Sequence, residues 1–302
     1  MGSRDWTVPT ESSDLETFLQ QTLRDGFMEK KFQALEKELH SFESDDGSKE
    51  RCCSLLNEMG KIRLKQGKVR EARTLQERCF ELTQQTDSNH ERLEAVNQLG
   101  KIDTLLGQYD NATLFFESAT ELANLMDDEK GQIRSILNLG LLRQSEDNDV
   151  HSAILFNEAL EKSQASKSPT MEARCYHHLS DLAMRSGMNS EAETLLLQGL
   201  TIVRSQGELI EEARYLNNLA RIRMDCGDFA TAIPMLRRSL EIKQISCELL
   251  GMATSLENLG ICMGEVGEMS QAQRYISHAK SIWIAADHTM AESRCDKMLD
   301  SL

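Results

Sequence analysis

The sequence predicts an all-α protein built from consecutive antiparallel helix pairs, and three observations predict it. Only 3 of the 302 residues are proline. Helix interiors tolerate proline poorly, whereas turn-rich sheet proteins usually carry more of it. Leu, Ala, Glu, Gln, Arg and Met, all good helix formers, are abundant. A set of residue columns also recurs at intervals of 40 residues along most of the chain.

The columns define the elements. A small anchor stands at Gly60, Gly100, Gly140, Ser180, Ala220 and Gly260, each preceded by Met59, Leu99, Leu139, Leu179, Leu219 or Leu259. With Leu56, Val96, Ile136, Tyr176, Leu216 and Leu256, these residues form an apolar stripe at i, i+3 spacing, which is one face of a first helix. Seven residues after each anchor stand Gly67, Gly107, Asp147, Gly187, Gly227 and Gly267. Glycine there suits a helix end in the left-handed conformation, which Asp tolerates better than most residues. Small residues follow at Ala72, Ala112, Ser152, Ala192, Ala232 and Ala272, and again at Cys79, Ala119, Ala159, Gly199, Ser239 and Ala279. They let a second helix approach the first closely. In the first unit the two helices are expected at about 49–66 and 68–85, each roughly 25 Å long at about 1.5 Å per residue.

The helix starts repeat as well. Ser48, Ser88, Asp128 and Ser168 are N-cap candidates at the same 40-residue spacing. Ser88 with Glu91 reads as a capping box. Pro169 falls at the first helical position, where its missing N–H costs nothing.

Outside the repeats, residues 1–14 are polar and are expected to be a flexible N-terminal segment. Residues 15–47 read as a degenerate capping helix pair and linker. One apolar face is Leu15, Phe18, Leu19 and Leu23, and the other is Phe32, Leu35, Leu39 and Phe42, with Gly26 between them and Ser44–Gly47 as the linker. Residues 48–287 hold the six repeats, and 288–302 read as a C-terminal capping helix. One elongated domain is expected, because no repeat buries its apolar face alone.

Gly100, Ala112, Phe116 and Ala119 reproduce the column pattern of the tetratricopeptide family, and the chain resembles that family over residues 48–287. The period is 40 rather than the usual 34 residues, and the usual late proline is absent. Longer repeats of this kind resemble those of kinesin light chains and of Pins/LGN-type spindle-orientation adaptors. The stretch from Leu216 to Ile242, with Pro234 two residues after Ala232, is especially similar to kinesin light chain. The resemblance implies a right-handed superhelical solenoid of antiparallel helix pairs. It also implies that the first helices line a concave groove, with partner contacts three and six residues before and one after each anchor. On this chain those positions include Asn57, Lys61, Asn97, Lys101, Arg134, Arg174, His177, Asp181, Arg214, Asn217 and Arg221, which form the predicted partner-binding set. Leu137, Leu141 and Ile261 interrupt the polar pattern and are read as apolar pockets or as gaps in it.

Composition narrows the function. Lys and Arg total 34 against 49 Asp and Glu, a net charge of −15. That weighs against nucleic acid and against anionic membrane surfaces, both of which need surplus cations. No apolar run reaches the length of a membrane span, and no charged-then-apolar signal stands at the start. The eight cysteines contain no CxxC spacing, so free thiols in a reducing, cytoplasmic setting are expected.

Little in the sequence points to chemistry. Gly60-Lys61 and Gly67-Lys68 lack the spacing of a phosphate loop. Cys175, His177, His178 and Asp181 form the densest ligand-like cluster, but a metal site needs three or four convergent ligands. No metal, cofactor or catalytic residue is therefore predicted. Cys79 and Cys262 read as packing residues. In the groove, Asn could donate to and accept from an extended peptide backbone, and Lys and Arg suit carboxylates. The expectation is a non-enzymatic scaffold or adaptor for a protein or peptide segment bearing acidic residues, with cytoskeletal or motor association implied by the resemblance. The alternative is a sensor module of a signalling regulator, of the signal-responsive ATPase or bacterial peptide-sensing kind.

Overall fold

The computed structural model describes residues 27–42, 48–86, 88–246, 248–286 and 288–302, together with Leu15 and Leu19. Among the described residues every regular element is an α-helix. In chain order these are α1 (Phe27–Phe42), α2 (Lys49–Lys65), α3 (Val69–Thr83), α4 (Asn89–Leu105), α5 (Tyr109–Leu125), α6 (Glu129–Ser145) and α7 (Asp149–Ala165). They continue with α8 (Pro169–Arg185), α9 (Asn189–Ser205), α10 (Leu209–Asp225), α11 (Phe229–Ile245), α12 (Leu249–Glu265), α13 (Met269–Ala285) and α14 (Thr289–Ser301). From α2 onward the helix starts are evenly spaced, at Lys49, Val69, Asn89, Tyr109 and so on to Thr289. Each sequence repeat is thus two helical modules of equal length.

The chain divides into two compact units, Lys31–Glu208 and residues 1–30 with Leu209–Leu302, where the sequence suggests one elongated domain. In the first unit α2/α3, α4/α5, α6/α7 and α8/α9 pack as pairs, and the second helix of each of the first three pairs packs on the next pair. The first helices α2, α4, α6 and α8 also touch in succession. Phe32 and Leu39 of α1 are buried here, and the Arg63 guanidinium of α2 lies 3.5 Å over the Phe32 ring. In the second unit α10 to α14 pack in the same serial way. Leu19 is buried in the core of this second unit, among Leu236, Leu256, Ile276 and Trp283, with Leu15 against it. Residues 1–14, Phe18, Leu23, Gly26 and Ser44–Gly47 lie outside the described residues.

The anchor column governs the pairing. A Cβ placed on Gly100 would stand 2.5 Å from the Phe116 ring, on Gly140 2.4 Å from Phe156, on Gly260 2.5 Å from Ile276, and on Gly60 2.3 Å from Gln76. The partner always stands at the same offset along the chain from its anchor. Its identity varies too much for that column to stand out in the sequence. Where the anchor is larger, Ser180 or Ala220, the partner at that offset is Leu196 or Leu236. All six partners are essentially inaccessible. Bulk removed from one helix is thus supplied by the other, which keeps the interior close-packed.

The turns repeat with the single-helix module. Gly67 (φ 76°) and its equivalents, including Asp147 (φ 56°), adopt the left-handed conformation expected of them. The Gly67 N–H donates to the Leu64 carbonyl and the Lys68 N–H to the Arg63 carbonyl, which closes the helix end. The same closure recurs between pairs, at Asp127 (φ 52°), Lys167 (φ 50°) and Gly207 (φ 68°). Ser48, Ser88, Asp128 and Ser168 do occupy the N-cap positions, but none of their side chains accepts a capping N–H. The predicted Ser88–Glu91 capping box is therefore not formed. Asn148 and Asp228 do accept from His151 N and Thr231 N, although Asp128, with the same side chain as Asp228, does not. Cys52, Cys53, Cys79, Cys175, Cys226, Cys262 and Cys295 are free thiols, all buried except Cys226; Cys247 lies outside the described residues.

Two outcomes follow from this packing. Gly100→Ala should cost about 1–3 kcal/mol in denaturant unfolding through overpacking against Phe116. Gly100→Ala with Phe116→Leu, which copies the natural Ala220–Leu236 pairing, should recover most of that loss, and strictly additive losses would refute size matching. Lys167→Gly relieves a left-handed side chain that costs roughly 1–2 kcal/mol and should raise the melting temperature despite the chain entropy glycine adds.

Candidate functional site

The eleven predicted partner-binding residues fall on both units. Asn57, Lys61, Asn97, Lys101, Arg134, Arg174, His177 and Asp181 belong to the first unit. Arg214, Asn217 and Arg221 belong to the second.

The asparagines do not form the surface expected of them. Asn57, Asn97 and Asn217 are buried; Asn97 and Asn217 bond neighbouring groups, whereas Asn57 Oδ1 is buried without a hydrogen-bond partner among the described residues. Asn97 donates to the Leu93 carbonyl at 2.8 Å and accepts from Asn138 Nδ2 at 2.6 Å. Asn217 Oδ1 accepts from Asn258 Nδ2 at 3.2 Å, the same relation between successive repeats in the second unit. Asn57 Nδ2 donates weakly to the Glu91 carbonyl at 3.5 Å. A buried amide left unbonded is costly, and the Asn97 and Asn217 bonds avoid that cost while tying successive first helices together. Leu137 is likewise a core residue, buried with Ile133, Phe156 and Cys175, and not a pocket.

The cations do converge in the first unit. Glu94 on α4 bonds Lys61 of α2 at 2.7 Å and Arg134 of α6 at 3.2 Å, and Gln98 Nε2 donates to it at 2.9 Å. Burial alone would raise the Glu94 carboxyl, but the Lys61 ammonium, the Gln98 amide and the Arg134 charge hold it down at about 2. Lys101 stands on the same face, half-buried. Its ammonium is pushed below the ordinary lysine range first by burial, and further by the like charges of Arg134, Arg174 and Lys61, with Glu94 opposing. Among the described residues neither Lys101 nor Arg174 has a carboxylate within ion-pair distance. Four cations, Lys61, Lys101, Arg134 and Arg174, thus share one face with the carboxylates of Glu94 and, at its α8 end, Asp181, in a chain of net charge −15. The reason is the repeat itself: columns six before and one after the anchor, on successive first helices, bring Lys61, Glu94, Lys101, Arg134 and Arg174 side by side. Glu94 and Gln98, absent from the predicted set, are the residues that order the cluster.

In the second unit Arg214 pairs along its own helix with Glu211 at 2.9 Å and is half exposed. Arg221 is exposed. Glu257, the acidic member of the column that holds Asn97, His177 and Asn217, is buried and accepts from Trp283 Nε1 at 2.7 Å and from Arg294 at 2.9 Å through both oxygens. That carboxylate is used to hold α14 in place.

The ligand-like cluster on α8 separates into two parts. Cys175 is fully buried in the α6–α8 core, and burial pushes its thiol up to about 12, which suits neither a metal-bound thiolate nor a nucleophile. Burial similarly takes Cys262 to about 11, in line with a packing role. His177, His178 and Asp181, however, come together, with one ligating atom of each within 4.8 Å of the others. His178 lies in none of the predicted contact columns, and only its place beside His177 marks it in the sequence.

Comparison with known proteins places this geometry in a family. The tetratricopeptide repeat family model matches residues 50–124 and 211–285. No curated protein matches the sequence significantly. Among solved structures, BtubC (BKLC) from P. vanneervenii is similar at 16% identity and a TM-score of 0.56, over 75% of this chain and 92% of that one. The Rap protein complexed with Competence and Sporulation Factor is similar at 12% identity and a TM-score of 0.59, over 96% of this chain and 98% of that one. The STAND protein with a tetratricopeptide repeat sensor, PH0952 from Pyrococcus horikoshii, is similar at 12% identity and a TM-score of 0.54, over 97% of this chain and 50% of that one. At these identities the likeness is one of fold, and it agrees with the serial helix pairs described above. Among the described residues no helix is long and apolar enough to cross a membrane. With its repeat columns, its all-α solenoid of serial helix pairs and the family match in both units, the chain belongs to the tetratricopeptide-repeat family.

Proposed function

We propose that the face formed by α2, α4, α6 and α8 binds an extended or helical peptide segment carrying acidic residues, so that the protein acts as a scaffold or adaptor and not as an enzyme. The observation that carries this reading is the crowding of Lys61, Arg134 and Arg174 around the half-buried Lys101, where Glu94 pairs only with Lys61 and Arg134. Like charges held together in a partly dehydrated setting raise each other's energy, and an incoming carboxylate relieves that. Arg supplies a two-pronged donor for it and Lys a point charge. The asparagines act behind this face, by fixing the spacing of the helices that present the cations.

We read residues 48–287 as six repeats and 288–302 as their C-terminal cap. Arg214 and Arg221 are a separate, weaker candidate surface on the second unit. Work in the cytoplasm with a cytoskeletal or motor-associated partner is the version that the kinesin-light-chain-like stretch Leu216–Ile242 favours. A second reading, a ligand-sensing module, is favoured by the near-complete overlap with the Rap protein complexed with Competence and Sporulation Factor. Both readings place a peptide-like partner on the helix pairs.

The test uses a fluorescent Glu/Asp-rich peptide and anisotropy titration. Lys101→Glu and Arg174→Glu should each weaken binding about five- to tenfold or more, with an unchanged melting temperature. Glu94→Gln should tighten it severalfold, since it removes the competing carboxylate. Binding should weaken with salt, because the Debye length falls from about 10 Å at 0.1 M to about 3 Å at 1 M. Lys162→Glu on α7 should bind like wild type. If Lys162→Glu abolishes binding while Lys101→Glu leaves it intact, the recognition surface is on the second helices and the reading is wrong.

A further inference from the structure

One turn of α8 carries imidazole and carboxylate groups that the basic face does not use. His177 and His178 are adjacent in sequence, and Asp181 follows them at i+4 and i+3. Helix geometry therefore stands Asp181 one turn above both rings. His177 Nδ1 lies 3.4 Å from Asp181 Oδ2, longer than the roughly 2.9–3.0 Å of an ordinary N–H···O hydrogen bond. It matches the separation of two ligand atoms on one tetrahedral ion: bonds of about 2.0–2.2 Å at the tetrahedral angle put the ligands about 3.3–3.6 Å apart. The His178 ligating atom is within 4.8 Å of the other two.

The surroundings fit such a site. The His178 ring stacks on Phe156 of α7, with centroids 5.3 Å apart and planes 22° from parallel. The His177 ring meets His178 edge-on at 5.5 Å. Both rings are thus held in place before any ion arrives, which lowers the ordering cost of binding. All three side chains are partly buried, with Asp181 34% and His177 17% exposed. An ion can therefore enter, while the site is drier than open surface. Two imidazoles and one carboxylate suit borderline transition metals, whereas calcium and magnesium prefer all-oxygen shells. Three protein ligands leave one tetrahedral position open. Arg174, one turn before the rings on the same helix, opposes the ion's charge and favours an anionic ligand at that open position.

We propose that His177, His178 and Asp181 form a binding site for a divalent transition-metal ion of the Zn²⁺, Co²⁺ and Ni²⁺ class, with its fourth position open to water or an anionic group. The proposal is independent of peptide binding at the basic face and survives or fails without it.

The experiment is titration of the tag-free, chelator-treated full chain with Zn²⁺ and Co²⁺, followed by calorimetry and by the Co²⁺ absorption spectrum. One ion per chain is expected, with a nitrogen/oxygen ligand-field spectrum and no thiolate-to-metal band. Asp181→Asn should lower affinity about tenfold or more while leaving the helical signal and melting temperature as in wild type. His178→Gln should do the same to affinity, even if losing the stack on Phe156 lowers the melting temperature. No one-to-one binding, binding indifferent to Asp181→Asn, or a thiolate band assigning the ion to cysteines such as the exposed Cys226 would each overturn the proposal.

Discussion

The close approach of paired helices at the small anchor sets the rest of the structure. A helix pair can sit this near only if one side gives up its side chain, and Gly100, Gly140 and Gly260 do so to the rings or branches of Phe116, Phe156 and Ile276. Because the partner lies at a fixed offset along the chain, the short turn between helices must keep one length and one hand. Left-handed residues at Gly67, Gly107 and Asp147 supply that hand. With the turn fixed, every module has the same length. Side chains in the same column then stand beside one another on successive first helices, and this alignment is what builds the basic face.

The fold was legible for a physical reason. Small residues at Ala72, Ala112 and Ala119 and left-handed glycines at Gly67 and Gly107 are positions where few side chains work, so the constraint writes itself into the sequence at a constant period. The half-period was not legible. The turns between pairs place Asp127 and Lys167 in the left-handed region, residues that leave no compositional signal there. Serine at an N-cap misleads at Ser88 and Ser168, where the residue stands at the helix start but its hydroxyl makes no capping bond. The burial of Leu19 in the second unit was hidden because it depends on contacts far apart in sequence.

The candidate site was legible as columns but not as chemistry. Lys61, Lys101, Arg134 and Arg174 could be picked from their register, because positions on one helix face share a period. What the register could not tell was which polar residues are spent inside. Asn97 and Asn217 share the column of His177, yet they bond the next repeat while His177 faces Asp181. Nor could it show that Glu94, an acidic residue in an otherwise basic set, orders the cations by bridging α2 and α6. In both units a carboxylate meets cations of a neighbouring repeat, but the outcomes differ. Glu94 leaves Lys101 and Arg174 without an ion pair, whereas Glu257 is consumed by Trp283 and Arg294 and fastens a terminal helix.

The central claim is that the first helices of the Lys31–Glu208 unit are the recognition surface and that the second helices are support. Hydrogen exchange of the full chain, with and without a saturating acidic peptide, tests this most directly, because it maps the contact without altering any residue. Slowed exchange is expected to concentrate in α2, α4, α6 and α8 around Lys61, Lys101, Arg134 and Arg174. Protection confined to α3, α5, α7 and α9 would contradict it.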